Sequence, residues 1–170
     1  MMGLVTEETG VAQAVLVCAG LADAGVRFWV AGGWGVDALA GRQTRSHRDL
    51  DLLVDAADEA VTLEVLGDLG YVVETDWRPV RMELARRAGD GGGWVDVHPV
   101  VFDADGNGVQ AGLDDTEFHY PAAIFTTGRL GGIVVGCVSA AAQRTAHEGY
   151  AHRPQDEHDL AVLEALDTAD

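Results

Sequence analysis

The segment Asp49-Leu50-Asp51-Leu52-Leu53-Val54 constrains this chain more than any other. On a β-strand, successive side chains point to opposite faces. Asp49 and Asp51 therefore share one face, while Leu50, Leu52 and Val54 share the other, which must be core. Two carboxylates so placed repel each other unless both reach water or a divalent cation sits between them. Hard oxygen ligands at this spacing suit Mg²⁺, which takes one or two carboxylates together with substrate phosphates. A second acid-bearing strand follows at Trp94-Val95-Asp96-Val97-His98, with Asp96 and His98 on one face and Val95 and Val97 on the other. An aspartate between two valines is costly to bury without a partner. Were the two strands neighbours, Asp49, Asp51 and Asp96 would form a carboxylate triad, the arrangement that metal-assisted phosphoryl or nucleotidyl transfer uses.

Upstream, Gly32-Gly33 lies between a short apolar stretch, Arg27-Phe28-Trp29-Val30, and a helical one, Trp34–Leu39. Glycines at a strand-to-helix turn let backbone N–H groups approach an anion, and the helix N-terminus adds its positive end. No Gly-Lys-Ser/Thr follows, and the chain has no lysine, so this is not a Walker loop. Between Gly33 and Asp49 lie Arg42, Arg45, His47 and Arg48. Arginine meets phosphate oxygens as a fork. Arg45 and His47 are the candidates for holding a triphosphate, with Arg42 and Arg48 divided between surface and salt-bridge roles.

The rest of the chain reads as one domain of mixed type. Helical spacing covers Thr9–Ala24 and Ala57–Leu69, and strands are expected at Tyr71–Thr75, Val80–Arg86, Trp94–Phe102 and Leu130–Val138. Terminal helices are expected at Ser139–Glu148 and Gln155–Leu166, packed as a 139–170 appendage on a single domain spanning 1–170. Helix and strand alternate early and hairpins follow, which makes the class α+β. The net charge is −17, and every basic residue is an arginine. Such a chain repels nucleic-acid backbones and anionic membranes, and it suits a small cationic ligand or metal-assisted chemistry on an anion. Cys18 and Cys137 sit in apolar runs and read as buried thiols. No apolar run reaches the roughly 18 residues of a membrane span, and the expected location is cytoplasmic.

The Gly-Gly turn, the Asp-x-Asp strand and the later acid together resemble the DNA polymerase β-like nucleotidyltransferase superfamily. Gly32-Gly33-Trp34-Gly35-Val36-Asp37 and His47-Arg48-Asp49-Leu50-Asp51 are similar to lincosamide nucleotidyltransferases and to aminoglycoside 2″-nucleotidyltransferases. Trp77-Arg78-Pro79-Val80-Arg81-Met82-Glu83-Leu84 and Val95-Asp96-Val97-His98-Pro99 favour the lincosamide branch. A weaker echo lies at His147-Glu148-Gly149-Tyr150, and 103–128 matches less well. The resemblance implies a mixed sheet flanked by helices, and an enzyme that uses Mg²⁺ and an NTP, ATP foremost. It also implies transfer of a nucleoside monophosphate to a drug hydroxyl with release of pyrophosphate.

On this reading Asp49 and Asp51 hold the metal, Gly32, Gly33, Arg45 and His47 hold the triphosphate, and Asp96 is a second-metal ligand or the base. Glu83 is the alternative base, or else a salt-bridge partner of Arg81 on the same strand face. Trp34, Trp77, Trp94 and Tyr150 are candidates for a drug pocket, although such aromatics are more often plain core, and Asp37 is a cap or a ligand contact. His147 and His158 read as structural or surface groups. The partners expected are an antibiotic and a nucleotide, with a homodimer left open. An aminoglycoside acceptor is the first rival, and a non-catalytic, antitoxin-like binding module the second.

Overall fold

The computed structural model describes residues 8–168, so the two ends of the expected 1–170 domain lie outside the described residues. Helix α1 (Val11–Asp23) leads into β1 (Phe28–Ala31), α2 (Gly32–Ala40) and β2 (Asp49–Asp55). A 3₁₀ turn at Ala56–Asp58 precedes α3 (Glu59–Asp68), so the apolar run read as one helix over Ala57–Leu69 is split. Strands β3 (Tyr71–Trp77), β4 (Arg81–Arg86) and β5 (Trp94–Phe102) form a meander. Then come β6 (Gly108–Ala111), β7 (Glu117–Tyr120), β8 (Phe125–Leu130), β9 (Ile133–Val138), α4 (Ala140–Ala146) and α5 (Pro154–Asp167).

Among the described residues the strands make one nine-stranded mixed sheet in the order β3-β4-β5-β2-β1-β9-β8, and the β6–β7 hairpin extends the far end of β5. Two neighbouring pairs are parallel, β2 with β5 and β1 with β9. The strand expected over Leu130–Val138 is instead the second half of a hairpin, turned at Gly131 and Gly132, both with positive φ. Strands β6, β7 and β8 are not expected from the sequence. They are short, and their faces mix glycine, threonine and charge, so period-two hydrophobicity is faint.

The sheet's two faces differ as the alternation in β2 demands. One carries Val30, Leu50, Leu52, Val54, Met82, Leu84, Val95 and Val97, which pack with α1, α3 and Trp34 of α2 into the main core. The opposite face holds a smaller cluster, Leu53, Val100 and Val138 with Trp29, Phe102 and Phe125, beside the acidic residues. Cys18 and Cys137 are buried free thiols, and burial pushes Cys18 up to about 12 and Cys137 up to about 11.

Two of the candidate ligand contacts are framework residues. Trp34 is buried; its indole N–H donates to Thr9 O at 3.2 Å, and its ring packs 4.5 Å from that of His47. It belongs to the main core. Asp37 is 1 % exposed and organises the loop after α2. It accepts from the Thr44 backbone N–H at 2.9 Å and the Thr44 hydroxyl, and it pairs with His47 Nε2 at 2.6 Å. Burial alone would raise its carboxyl, but these hydrogen bonds hold it below the usual range. Thr9, expected inside the first helix, precedes it. Its backbone N–H donates to His47 O, its hydroxyl donates to Arg48 O and accepts from the Trp94 backbone N–H, and the entries of β2 and β5 are tied together.

Asp37→Ala leaves buried His47 and the part-buried donors of Thr44 without their partner. The expected cost is about 3 kcal/mol of unfolding free energy, read from urea denaturation. Asp37→Asn, which keeps one acceptor oxygen, is expected to lose less.

Candidate active site

The site is assembled on the acidic face of the sheet by strand register. β2 and β5 run parallel with Asp51 opposite Asp96 and Leu53 opposite His98. β4 pairs antiparallel with β5 and sets Glu83 opposite Asp96. Asp49, Asp51, Glu83, Arg81, Asp96 and His98 thus all project to one side. Asp51, Asp96 and His98 each bring a ligand atom within 4.8 Å of the others. Of the three expected acids, Asp51 and Asp96 fall in this cluster, and His98 joins them. Asp49 flanks the cluster and is engaged by Arg48 Nη1 at 3.2 Å.

Asp96 is the strained member. It is 6 % exposed, and its Oδ1 has no hydrogen-bond partner among the described residues. Burial first, then the charges of Asp51 and Asp49, push its carboxyl up to about 7, with His98 and Arg81 opposing. The Arg81 guanidinium meets its other oxygen at only 3.4 Å. Burial and the Asp51 charge also raise Asp49, against the pull of Arg48. A buried, unpartnered carboxylate oxygen beside a second carboxylate is the donor set a hard dication takes, so the residues present fit Mg²⁺.

Beside the acids, β1 ends and α2 begins at Gly32, whose φ of 60° favours glycine. A Cβ there would collide with Asp51 Oδ2, and one on Gly33 with Arg45 Nη2 and His47 Nδ1. The turn is therefore held against the acidic strand on one side and the cationic loop on the other. Arg45 is gripped from α5: its Nε and Nη2 donate to Asp159 Oδ1 and Oδ2, both at 2.8 Å. Its charge is thus balanced by a carboxylate that nothing in the sequence pattern singles out.

A cleft of about 710 Å³ joins these parts. Gly32, Gly33, Arg45, His47, Asp49, Asp51 and Asp96 line the sheet side, and Gln143, His147, Tyr150, Arg153, Asp156 and Asp159 the helical side. His147, read as a structural or surface group, takes a place in the wall while its Nδ1 bonds Gln143 O at 2.6 Å. Asp156 caps α5 and pairs with Arg153; those bonds, against burial, hold its carboxyl down at about 2. His158 is structural, at 2.9 Å from Thr44 Oγ1. Tyr150 stands half exposed in the cleft lining.

The remaining substrate candidates lie elsewhere. Trp77 is 53 % exposed at the end of β3, under the Arg81 guanidinium at 4.7 Å, and lines no part of the cleft. The Glu83–Arg81 bridge is replaced by Glu83–Arg48 and Arg81–Asp96, both at 3.4 Å: Arg81 reaches from β4 to the neighbouring β5, and Arg48, at the entry to β2, reaches Glu83 two strands away on β4. Arg81 and Glu83 border the acids without entering the cleft wall. Trp94 lies beneath Arg48 at 4.6 Å. His98 could have been found from its shared strand face with Asp96. Asp156 and Asp159 carried no local signal, since surface helices are commonly acidic.

The sequence profile of the aminoglycoside-2″-adenylyltransferase family matches residues 14–163. A lincosamide resistance protein of Staphylococcus haemolyticus is 34 % identical over 141 residues, which cover 83 % of this chain and 86 % of that protein. The lincosamide antibiotic adenylyltransferase LnuA, solved with lincomycin bound, superposes with a TM-score of 0.84 at 30 % identity, over 94 % of this chain and 99 % of that one. ANT(2″)-Ia, solved with adenylyl-2″-tobramycin, shares the fold at a TM-score of 0.69 and 18 % identity, over 93 % of this chain and 92 % of that one. Matched along most of its length by the profile, and similar in both sequence and fold to lincosamide adenylyltransferases, the chain belongs to the aminoglycoside-2″-adenylyltransferase family of nucleotidyltransferases.

Proposed function

We propose that this protein transfers an adenylyl group from Mg²⁺–ATP to a hydroxyl of a lincosamide antibiotic. The observation that carries the chemistry is Asp51 facing Asp96 across parallel strands, with Asp96 Oδ1 unpartnered among the described residues. The choice of acceptor rests on the similarity to the two lincosamide proteins.

Asp49 and Asp51 would hold Mg²⁺, with Asp96 in reach of it; when bound, the ion neutralises phosphate charge and polarises the α-phosphoryl group. Backbone N–H groups at Gly32 and Gly33 face the phosphates from the start of α2. Arg45 offers its remaining guanidinium hydrogens from an orientation set by Asp159. Burial and the neighbouring acids push the Asp96 carboxyl up to about 7, so it accepts the proton of the attacking hydroxyl. The hydroxyl oxygen bonds to the α-phosphorus in line, the bond to the β-phosphate oxygen breaks, and pyrophosphate leaves. An aminoglycoside acceptor is the second reading, favoured by the family profile and by the charge of −17. A purely binding role would leave the repulsion among Asp49, Asp51 and Asp96 unexplained.

Incubation with Mg²⁺–ATP should add one adenylyl group to lincomycin and clindamycin and leave kanamycin unmodified, as read by mass spectrometry. Adenylylation of kanamycin alone would transfer the assignment to the aminoglycoside reading. Asp49→Asn and Asp51→Asn should each lower turnover by at least about a hundredfold without lowering the melting temperature, because both remove like-charge repulsion.

The raised Asp96 carboxyl sets a pH dependence. An unfolded aspartate has a pKa of about 3.9, whereas burial and the charges of Asp51 and Asp49 push Asp96 in the folded protein up to about 7. Between these values the folded state holds a proton that the unfolded state has lost, so metal-free stability falls as pH rises through the window. Thermal melts should show that decline, flattened in Asp96→Asn. Mg²⁺ should stabilise most at the alkaline end.

A further inference from the structure

The β6–β7 hairpin reaches the acidic cluster through a chain of side chains that take no part in the reaction scheme. His98 Nε2 lies 3.4 Å from Asp51 Oδ1. On its other side, His98 Nδ1 lies 3.4 Å from the amide nitrogen of Gln110. The Gln110 carbonyl oxygen accepts from the Tyr120 hydroxyl at 2.8 Å. Strand register builds this row. Gln110 is paired with Val100 and is therefore the diagonal, same-face neighbour of His98, and Tyr120 is likewise diagonal to Gln110 across β6 and β7.

The direction of the row is set at its Asp51 end. Asp51, as a carboxylate, only accepts hydrogen bonds, so it favours a proton on the ring nitrogen facing it. Neutral His98 then has a lone pair on Nδ1, which needs a donor, and the Gln110 amide N–H₂ is placed there. Tyr120 is a phenol kept protonated by burial, and it donates to the amide oxygen. The reversed row would aim an imidazole lone pair at the Asp51 carboxylate. Gln110 is 8 % exposed, so water does not compete freely for its amide.

We propose that Gln110 and Tyr120 are positioning residues that hold His98 as its Nε2–H tautomer, so that His98 donates to Asp51 and is withheld from the metal. The proposal rests on the adenylyltransferase reading of the site and adds its metal preference. His98 has the right distance to join Asp51 and Asp96 as a nitrogen ligand. With its lone pair turned away, the cluster meets a cation through carboxylate oxygens alone, a set that suits Mg²⁺ and forgoes the imidazole that Zn²⁺ would take. Outer groups that fix a histidine tautomer commonly tune a metal site in this way.

The test uses the full chain, metal-free, ¹⁵N-labelled at histidine, at a pH well above the ordinary histidine range. Long-range ¹H–¹⁵N correlation spectra report which ring nitrogen bears the proton, and the His98 signals are assigned by their loss in His98→Gln. The expected result is protonated Nε2 in the wild type and a mixture of tautomers in Tyr120→Phe, where the amide is free to flip. In Gln110→Glu the new carboxylate accepts from Nδ1–H and the proton moves to Nδ1. That variant should also gain at least about tenfold in Zn²⁺ affinity by calorimetry, with the His98 Nε2 resonance shifted by the ion. A wild-type His98 protonated at Nδ1, or an Nε2 that binds Zn²⁺ directly in the wild type, overturns the proposal. Should Gln110→Glu not fold, the wild-type and Tyr120→Phe spectra still decide. The tautomer is measured without nucleotide or drug, so failure of adenylyl transfer and failure of this proposal are separate outcomes.

Discussion

The parallel pairing of β2 with β5 is the constraint on which the rest depends. It places Asp51 directly beside Asp96 with Leu50, Leu52, Val95 and Val97 behind them. The apolar residues hold the two strands together, and in doing so force the carboxylates to share a small, poorly solvated space. Packing free energy from one face of the sheet is thereby converted into charge repulsion on the other. The raised proton affinity of Asp96, its unpartnered oxygen and the fit to a dication all follow from that coupling.

The acids are surrounded by a graded set of cations. Arg48 bridges Asp49 and Glu83, and Arg81 approaches Asp96, yet neither reaches Asp96 Oδ1. Across the cleft the pattern inverts: buried Asp156 and Asp159 on α5 are satisfied by Arg153, His147 and Arg45. One wall is left short of positive charge and the other is balanced. That asymmetry explains how a protein with a net charge of −17 can present a site to a nucleotide: the last helix organises the few cations it has, and the Gly32-Gly33 turn supplies neutral donors.

Much of the site is legible in the amino-acid sequence. The alternation in Asp49–Val54 and in Trp94–His98 names the residues that share a face, and the Gly-Gly turn names the anion side. The sequence misleads where a residue's surroundings come from distant segments. Trp34 and Asp37 sit beside the Gly-Gly turn in sequence but point into the core and into the loop at Thr44 and His47. Trp77 belongs to a stretch that resembles the lincosamide nucleotidyltransferases yet stands exposed at the end of β3. The β6–β7 hairpin leaves little trace in the sequence because its inward residue, Gln110, is polar and its strands are short.

By itself the sequence determined which side chains could act together along any one strand or turn, because the pleat and the helix repeat are local properties of the backbone. It also determined the chemical character of the centre, oxygen donors facing a cationic loop. Tertiary structure alone decided which strands are neighbours, at what register, and therefore that Glu83 rather than Arg81 stands opposite Asp96. It alone decided that Asp159, far along the chain, neutralises Arg45. Such pairings depend on hydrogen-bond ladders and apolar contacts between segments remote in sequence, for which no local pattern carries the information.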